Sequence, residues 1–314
     1  MGSESPLATA SFSSSRKVFS ISDVSMGLES WRTHVIMACM KDASTQNLAL
    51  AGHLLDHYAG RIARAQRPYI LGLSGLQGSG KSSLARVMKA QAESRGWPTV
   101  VLSLDDFYYS RSEREAMAHD IHPLLRTRGV PGTHEIELLL SVLAALPHAS
   151  EKLPVAWPRF DKGRDTRMPP SRWPKATRPP KLVIVEGWAL GLKPQPLAAL
   201  GTPVNALERD EDDDGRWRKW VNKQLRGYQP LWRKLDALIV LQAPGWDVVR
   251  RWRSETEQDL LARRAPLAMD AEAMSRFLAH FERLSRHALA TLPAIADSVV
   301  EYDSERHVTG LGHD

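Results

Sequence analysis

Short apolar runs alternate along the chain with longer segments in which apolar residues recur every three or four positions. The short runs predict buried strands, at 68–74, 99–104, 181–188, 237–241 and 298–302. The periodic segments predict amphipathic helices, at 48–65, 83–90, 135–146, 217–228, 246–264 and 270–289. Strands that alternate with helices predict an α/β fold, in which a parallel sheet carries helices on both of its faces.

Other stretches lack such periodicity. The beginning of the chain is rich in Ser, and we expect a disordered tail at 1–30, then a helical segment at 31–66 that packs on a main domain at 67–314. Residues 153–180 are rich in Pro, Trp and Arg and predict a long loop that covers a substrate. The acidic run at 208–214 predicts a solvated loop.

One glycine-rich stretch carries the clearest chemistry: Gly75-Leu76-Gln77-Gly78-Ser79-Gly80-Lys81-Ser82 matches the phosphate-loop pattern. It lies between a predicted strand and a predicted helix, as that pattern requires. Glycines let successive main-chain N–H groups wrap an anion closely. Lys81 supplies a charge to the β- and γ-phosphates, and the Ser82 hydroxyl can ligate Mg²⁺. The residues expected to bind a nucleoside triphosphate are Gly75, Gln77, Gly78, Ser79, Gly80, Lys81, Ser82 and Ser83.

Carboxylates follow two other predicted strands. Asp105 and Asp106 come at the end of the strand 99–104, and Glu186 comes near the end of the strand 181–188. In a doubly wound parallel sheet the carboxyl ends of the strands line one edge, where ligands bind. We therefore expect Asp105 and Glu186 to lie beside the phosphate loop, where one acid orients or deprotonates an acceptor hydroxyl and the other holds Mg²⁺. Helix capping or turn formation is the alternative role for the Asp pair.

Composition and charge narrow the choice of partner. The chain has 314 residues, 43% of them hydrophobic, and a formal net charge of +6. Its arginines are spread along the chain, so we expect a small anionic substrate rather than nucleic acid. No apolar run reaches the length of a membrane span, so we expect no membrane partner. The single Cys39 excludes an intramolecular disulfide and favours a reducing, cytoplasmic setting, with an organellar transit peptide as the alternative.

Two weaker patterns carry no function. His53 and His57 lie one helical turn apart, but the sequence offers no third ligand beside them, so we expect no metal there. The stretch Asn222-Lys223-Gln224-Leu225 resembles a guanine-reading motif, but its last position is Leu and offers no carboxylate to the base. ATP is therefore favoured over GTP.

Several segments follow one another in the order of a known kinase family: Gly75–Ser83, Ser103–Tyr108, Arg128–His134, Pro158–Lys162, Val185–Gly191, Val221–Tyr228 and Trp252-Arg253. On these segments the chain, over residues 67 to 302, resembles the D-glycerate 3-kinase family. That family belongs to the phosphate-loop kinases related to uridine kinase, phosphoribulokinase and bacterial pantothenate kinase. The resemblance implies a P-loop NTPase-type sheet with a kinase-like lid. It also implies ATP- and Mg²⁺-dependent phosphorylation of the primary hydroxyl of D-glycerate, which gives 3-phosphoglycerate.

The resemblance also implies roles for individual residues. It makes Asp105 the base and Glu186 the acid on the magnesium side, so that these two and Lys81 form the expected catalytic set. Arg128 and Lys162 are expected to bind the acceptor carboxylate or the transferring phosphate. The further residues expected to bind substrate are Asp106, Tyr108, His134, Arg164 and Arg167. The expected lid arginines are Arg250 and Arg253.

The chain departs from the family pattern at two places. Family members often carry His-Asp where this chain has His134-Glu135, and the family's Gly-Arg-Gly-Asp-Arg run appears here as 163–167 without its spacing glycine. Two alternatives stay open. One is a nucleoside or pantothenate kinase, whose larger acceptor could stack on the Trp-rich region 153–188. The other is an ATP-binding regulatory protein that turns over no metabolite.

Overall fold

The runs predicted to be strands all belong to one six-stranded sheet. The computed structural model describes residues 43–262 and 269–313. The strands in chain order are β1 (Tyr69–Gly75), β2 (Thr99–Ser103), β3 (Val155–Ala156), β4 (Phe160–Asp161), β5 (Thr166–Arg167), β6 (Lys175–Ala176), β7 (Leu182–Gly187), β8 (Ala237–Gln242), β9 (Ser298–Tyr302) and β10 (Val308–His313). The main sheet has the order β10-β9-β8-β1-β7-β2, while β3 with β6 and β4 with β5 form two short ribbons.

The main sheet is parallel except at one edge, where β10 runs antiparallel to β9. The sequence pattern did not predict β10. Strands β1 and β7 are buried along their whole length, which explains why they read as unbroken apolar runs. Glu186 of β7 lies opposite Leu73 of β1 on one side and opposite Ser103 of β2 on the other. The segments that follow β1 and β2 therefore leave the sheet on either side of Glu186.

Helices flank the sheet, as the α/β prediction required. They are α1 (Ala43–Arg64), α2 (Lys81–Ser94), α3 (Arg111–Asp120), α4 (Ile136–Ala145), α5 (Ala206–Glu211), α6 (Arg216–Trp232), α7 (Trp246–Ala262), α8 (Ala271–Ala279) and α9 (Glu282–Thr291). Short 3-10 helices lie at Leu104–Phe107, Pro123–Arg126, Leu146–His148, Pro170–Arg172, Leu197–Leu200 and Pro293–Ile295. Among the described helices, none combines the length and the apolar character that crossing a bilayer needs.

Helix α1 packs on the main domain through one apolar face. Leu50, Leu54, Tyr58 and Ile62 follow one another at four-residue steps and are fully buried. The Tyr58 hydroxyl lies 2.6 Å from the Ser298 hydroxyl of β9, which ties the helix to the sheet. The helix accounts for the later part of the predicted segment 31–66. The predicted tail at 1–30 lies outside the described residues.

Two helical segments differ from their predictions. The segment 270–289, predicted as one helix, forms α8 and α9, which are separated at His280 and Phe281. Helix α3 was not predicted, although the sequence carries a signal for it. Ser110 and Glu113 form a capping box, in which each side chain accepts a hydrogen bond from the main-chain N–H of the other.

The prediction of a solvated loop at 208–214 is wrong, because two of its acids are buried against arginines from elsewhere. Glu208 of α5 is 1% exposed and accepts two hydrogen bonds from Arg283, at 2.7 Å and 2.6 Å. Asp212 is 1% exposed and pairs with Arg218 at 2.9 Å. A run of acids is solvated only where the fold brings no cation against it. The acidic pattern alone could not show that Arg283, 75 residues further along the chain, would pair with Glu208.

We expect Glu208→Gln to lower the free energy of unfolding by about 3–5 kcal/mol, because it leaves the Arg283 guanidinium buried without its charge partner. Urea unfolding followed by circular dichroism measures this loss. Asp210→Asn is the matched control, since Asp210 belongs to the same helix but pairs with Arg209 in solvent. We expect no measurable change in that variant, and equal losses in the two variants would contradict the buried pair.

Candidate active site

The phosphate loop has the strand–loop–helix context that its sequence pattern predicts. It leaves β1 at Gly75 and enters α2 at Lys81. Gly78 and Gly80 have φ values of 80° and 81°, in the left-handed region that favours glycine. A Cβ atom on Gly78 would lie 2.7 Å from the Cβ of Trp252, so space also requires glycine there. The first N–H groups of α2 have no acceptor within the helix and can bind a phosphate.

Ser82 and Glu186 form a candidate magnesium site. The Ser82 hydroxyl donates a hydrogen bond to Glu186 Oε1 at 2.9 Å. The other oxygen, Oε2, is buried and accepts no hydrogen bond from any residue that the structure describes. Because a buried carboxylate oxygen without a partner is costly, this oxygen fits a cation ligand. Mg²⁺ commonly binds one or two carboxylates together with substrate phosphates, so a hydroxyl and one acid suit it.

Asp105 lies in the 3-10 helix that follows β2 and is held at both carboxylate oxygens. The Lys162 ammonium donates to Oδ2 at 2.6 Å, and the Tyr108 hydroxyl donates to Oδ1 at 2.9 Å. Lys162 reaches this position because it lies on the ribbon of β4 and β5, within the region 153–180 that was predicted to cover a substrate. That region is not one structureless loop, since it contains both short ribbons.

Charge sets the protonation of this cluster. Burial opposes ionisation of Asp105, but the charges of Lys162 and Lys81 hold the pKa of its carboxyl well below the ordinary value. The Asp105 carboxylate in turn raises the pKa of Lys162. Burial, together with the Asp105 charge, raises the pKa of the Tyr108 hydroxyl well above its usual range. At neutral pH, Asp105 is therefore ionised while Lys162 and Tyr108 keep their protons.

Arg128 is fixed in the wall of the site by an acid on the ribbon of β4 and β5. Asp165 lies in the turn of that ribbon, and one of its carboxylate oxygens accepts a hydrogen bond from Arg128. The other oxygen accepts from Arg114 at 2.7 Å, and the Arg114 side chain is fully buried. One acid thus orients the partly buried Arg128 guanidinium by anchoring to a fully buried one.

A cavity of about 420 Å³ separates the phosphate loop from Asp105, and we call it the front cavity. Its nucleotide side is lined by Gln77, Gly78, Gly80, Lys81, Ser82 and Ser83. The other residues that line this cavity are Asp105, Tyr108, Arg128, Lys162, Trp188, Arg253, Thr256, Phe277 and Phe281. The fold therefore brings together the predicted Lys81, Asp105, Arg128 and Lys162 around one space.

Three aromatic residues of the front cavity were not predicted as site residues. The Trp188 indole N–H donates to the Gly129 carbonyl oxygen at 3.0 Å, and its ring meets the Phe281 ring edge to face at 5.3 Å. Phe277 lies 4.9 Å from Phe281, measured between ring centres. Phe277 and Phe281 stand four positions apart in a segment predicted to be helical, and such spacing is equally typical of a core face. Sequence spacing alone could not separate the two roles.

Two residues predicted to bind substrate instead hold the ribbon of β4 and β5 in place. The Asp106 carboxylate accepts hydrogen bonds from Arg159 at 2.8 Å and from the Phe160 N–H at 3.0 Å. Arg167 donates to the Tyr108 carbonyl oxygen at 2.8 Å and pairs with Glu135 at 2.6 Å. Neither side chain lines the front cavity, because the polar atoms of each bind these partners instead.

His134, also predicted to bind substrate, is buried behind Tyr108. Its ring stacks on the Tyr108 ring at 4.4 Å, and its Nδ1 lies 2.7 Å from the Tyr228 hydroxyl. Burial lowers the pKa of His134 to about 4, so the ring is neutral at neutral pH. In this position His134 supports Tyr108 rather than lining the front cavity.

The remaining predicted arginines divide between the cavity and the surface. Arg164 is exposed and lies 3.8 Å from Asp161, away from the front cavity. Of the two expected lid arginines, Arg253 lines the front cavity, whereas Arg250 lines a separate concavity beside Trp246. Both arginines are on α7, so the two expected lid residues lie on one helix but line different concavities.

A second concavity, of about 480 Å³, lies on the other side of the phosphate loop, and we call it the rear cavity. It shares Gly78, Gly80, Ser83 and Thr256 with the front cavity. The other residues that line it are Gln46, Asn47, Ser79, Glu255, Gln258, Tyr302 and Arg306. The two cavities therefore adjoin each other at the phosphate loop.

Comparison with known proteins finds kinases among the relatives of this chain. No family model matches the chain. The chain is 35% identical over 228 residues to an uncharacterised kinase of Schizosaccharomyces pombe, a match that covers 68% of this chain and 79% of that protein. It is 29% identical over 257 residues to the chloroplastic D-glycerate 3-kinase of Arabidopsis thaliana, a match that covers 76% of this chain and 54% of the plant protein. The chain thus spans about half of the plant protein.

A solved structure has the same fold. The D-glycerate 3-kinase of Cryptococcus neoformans superposes with a TM-score of 0.67 at 22% identity, covering 88% of this chain and 100% of the other. At this identity the likeness shows the fold alone. It supports the prediction of a P-loop NTPase-type α/β fold.

We expect Lys162→Met to raise the pKa of the Asp105 carboxyl, because burial is then opposed by the charge of Lys81 without that of Lys162. In the unmodified chain the acid should titrate well below the usual aspartate value of about 3.9, and in the variant it should titrate at a higher pH than in the unmodified chain. The Asp105 carboxyl resonance in ¹³C-labelled protein measures this. Lys175→Met, on exposed β6, is the control, and titration that is identical in all three proteins would contradict the pairing.

Proposed function

The chain belongs to the D-glycerate 3-kinase family of phosphate-loop kinases, and we propose that it transfers the γ-phosphoryl group of ATP to the primary hydroxyl of D-glycerate. The product would be 3-phosphoglycerate. The observation that carries this proposal is the front cavity, in which Lys81 of the phosphate loop faces Asp105, Arg128 and Lys162. A phosphate donor and a small anionic acceptor can meet in that space.

The nucleotide side supplies positive charge and main-chain donors. The N–H groups at the start of α2, together with Lys81, would hold the β- and γ-phosphates. Ser82 and Glu186 would hold Mg²⁺, which neutralises charge on the phosphate oxygens when it is bound. The adenosine would bind in the rear cavity, which adjoins the same loop. Side chains with hydrogen-bond donors and acceptors line that cavity, among them Asn47 and Tyr302.

The acceptor side depends on Asp105. A carboxylate has about four lone-pair positions, so an acceptor hydroxyl can donate to Asp105 while Tyr108 remains bound. Because its pKa is held low, Asp105 is a weak base and would mainly orient the hydroxyl, taking its proton late in the transfer. This suits phosphoryl transfer, whose loose transition state demands little early deprotonation.

Arg128 supports an acceptor that carries a carboxylate. Its guanidinium lines the front cavity and is oriented by Asp165. A planar guanidinium matches a carboxylate through two parallel hydrogen bonds, which a lysine cannot reproduce. D-Glycerate offers such a carboxylate next to its hydroxyl groups.

A second candidate function has support from one observation. The wall formed by Trp188, Phe277 and Phe281 is apolar and aromatic, and it would suit an acceptor larger than glycerate. A nucleoside or pantothenate could stack on such a wall. The same nucleotide side would serve either acceptor, so the acceptor has to be tested directly.

An acceptor panel tests the substrate. With MgATP and D-glycerate, we expect a coupled assay to detect the formation of ADP. We expect NMR of the product to show the phosphate on the primary hydroxyl. Arg128→Gln should raise the KM for D-glycerate by about 10- to 100-fold, because a charged hydrogen-bond pair is lost. Uridine has no carboxylate and is the matched neutral acceptor. Turnover of uridine or pantothenate alone would reject glycerate and keep the kinase, whereas ATP binding without any ADP release would favour a regulatory protein.

Asp105→Asn tests the acceptor base. We expect turnover to fall by about 10²- to 10⁴-fold, while the Kd for MgATP changes little because Asp105 lies on the acceptor side. Steady-state kinetics and calorimetry measure the two quantities. Asp106→Asn makes the same change one residue along, on a side chain outside the cavity, and should retain most of the turnover. Similar losses of turnover in the two variants would remove Asp105 from the mechanism.

A further inference from the structure

Arg306 touches the phosphate loop from the turn between β9 and β10. Its Nε donates to the Gly78 carbonyl oxygen at 3.0 Å. Its Nη2 donates to the Trp252 carbonyl oxygen at 3.1 Å and to the Glu255 carboxylate at 2.8 Å. The guanidinium also lies 5.2 Å from the centre of the Trp252 ring. A single side chain therefore joins the phosphate loop to α7.

The hydrogen bond to Gly78 fixes one peptide unit of the loop at both ends. The carbonyl of this unit accepts from Arg306, while its N–H, which belongs to Ser79, donates to the Leu76 carbonyl oxygen at 3.1 Å. Because a peptide unit is planar, the two bonds together define its orientation. The next peptides lead into α2 from this fixed plane, and their N–H groups are those that a phosphate would meet.

The turn that carries Arg306 is itself well anchored. Arg306 has a φ of 65°, a left-handed conformation that a residue with a side chain keeps only where its surroundings hold it. The Asp303 carboxylate accepts from the N–H groups of Glu305 and His307, both at 2.8 Å. With its amide oriented by its hydrogen-bonding neighbours, Gln46 of α1 donates to the Arg306 carbonyl oxygen at 3.0 Å.

Helix α7 connects this contact to the front cavity. Gly78 has no room for a side chain, because the Trp252 backbone carbon would lie 2.9 Å from its Cβ. The residue after Trp252 is Arg253, which lines the front cavity and pairs with Glu257 at 2.7 Å. The same segment of α7 thus meets Arg306 on one side and presents a cation to the cavity on the other.

We propose that Arg306 is a positioning residue for nucleotide binding, which locks the phosphate loop against α7 before the ligand arrives. The inference rests on the proposed function, since it takes MgATP as the ligand of the loop. Arg306 does not line the front cavity, where the transfer would take place, and it acts by ordering the loop in advance, which reduces the free-energy cost of binding. Its loss should therefore weaken nucleotide affinity and leave the affinity for the acceptor nearly unchanged.

The test measures MgATP binding to the full chain without any acceptor, by isothermal titration calorimetry. We expect Arg306→Gln to raise the Kd for MgATP by roughly 10- to 100-fold, because hydrogen bonds from a charged group to the loop and to α7 are lost. Arg306→Lys keeps the charge but cannot span three acceptors, so its Kd for MgATP should lie between those of the unmodified chain and Arg306→Gln. The acceptor KM at saturating ATP should stay within about twofold of the unmodified value, a split that a general loss of stability would not produce.

Arg251→Gln is the matched control. Arg251 is also on α7 and bonds to the same turn, to Ser304 and Glu305, but it does not reach the phosphate loop. We expect its MgATP affinity to match that of the unmodified chain. If Arg306→Gln does not fold, as judged by circular dichroism, Glu255→Gln replaces it, because this change removes one partner of Arg306 and leaves the guanidinium in place. A several-fold weaker Kd is then expected.

The outcomes separate the inference from the proposed function. If the unmodified chain binds no MgATP, the proposed function fails and the inference fails with it. If the unmodified chain binds MgATP and the variants at 306 and 255 bind it equally well, the inference alone is overturned. Equal weakening in Arg251→Gln would also overturn it, because the effect would then belong to the turn as a whole.

Discussion

The parallel register of three strands is the constraint on which the candidate site depends. Glu186 of β7 is paired with Leu73 of β1 on one side and with Ser103 of β2 on the other. The phosphate loop follows the first partner strand and Asp105 follows the second, so both emerge beside the same acid. Hydrogen bonds within a buried sheet set these distances. The loops only complete a geometry that the sheet has already determined.

Electrostatics of the front cavity follow from how its cations are held. Lys162 pairs with Asp105, Arg128 with Asp165 and Arg253 with Glu257. Each cation is therefore oriented without a ligand, which lowers the cost of binding an anion. The three pairs are not equivalent, because of the three acids only Asp105, the partner of Lys162, lines the front cavity. Any anion that draws Lys162 away also lets the pKa of Asp105 rise, so the protonation of this carboxyl depends on what else is bound.

The sequence predicted the parts of this structure that local chemistry determines. The buried strands read as apolar runs, and the phosphate loop needs glycines at the positive φ of Gly78 and Gly80. That Asp105 and Glu186 lie at the same edge of the sheet followed from the rule for parallel sheets. Side-chain direction did not follow. Asp105 and Asp106 are neighbours in one 3-10 helix, yet one faces the cavity and the other holds Arg159. No pattern of residue types distinguishes two adjacent identical acids, because the difference lies in a ribbon from further along the chain.

The wall formed by Trp188, Phe277 and Phe281 could be predicted from the sequence even less well than the direction of Asp105. Gly129 lies so close to Phe281 that a Cβ would stand 2.2 Å from the ring, and a Cβ on Gly78 would stand 2.7 Å from the Cβ of Trp252. Helices α7 and α8, with the turn at Phe281, are therefore seated directly on loops from the first half of the chain. The segments that follow β1 and β2 supply Lys81 and Asp105, while these later helices supply Arg253 and the aromatic rings of Phe277 and Phe281. A change at Phe277 would reshape that wall and leave the pairing of β1, β2 and β7 untouched. The acceptor can therefore be read only from the assembled cavity, and the reaction type from the strands and the phosphate loop.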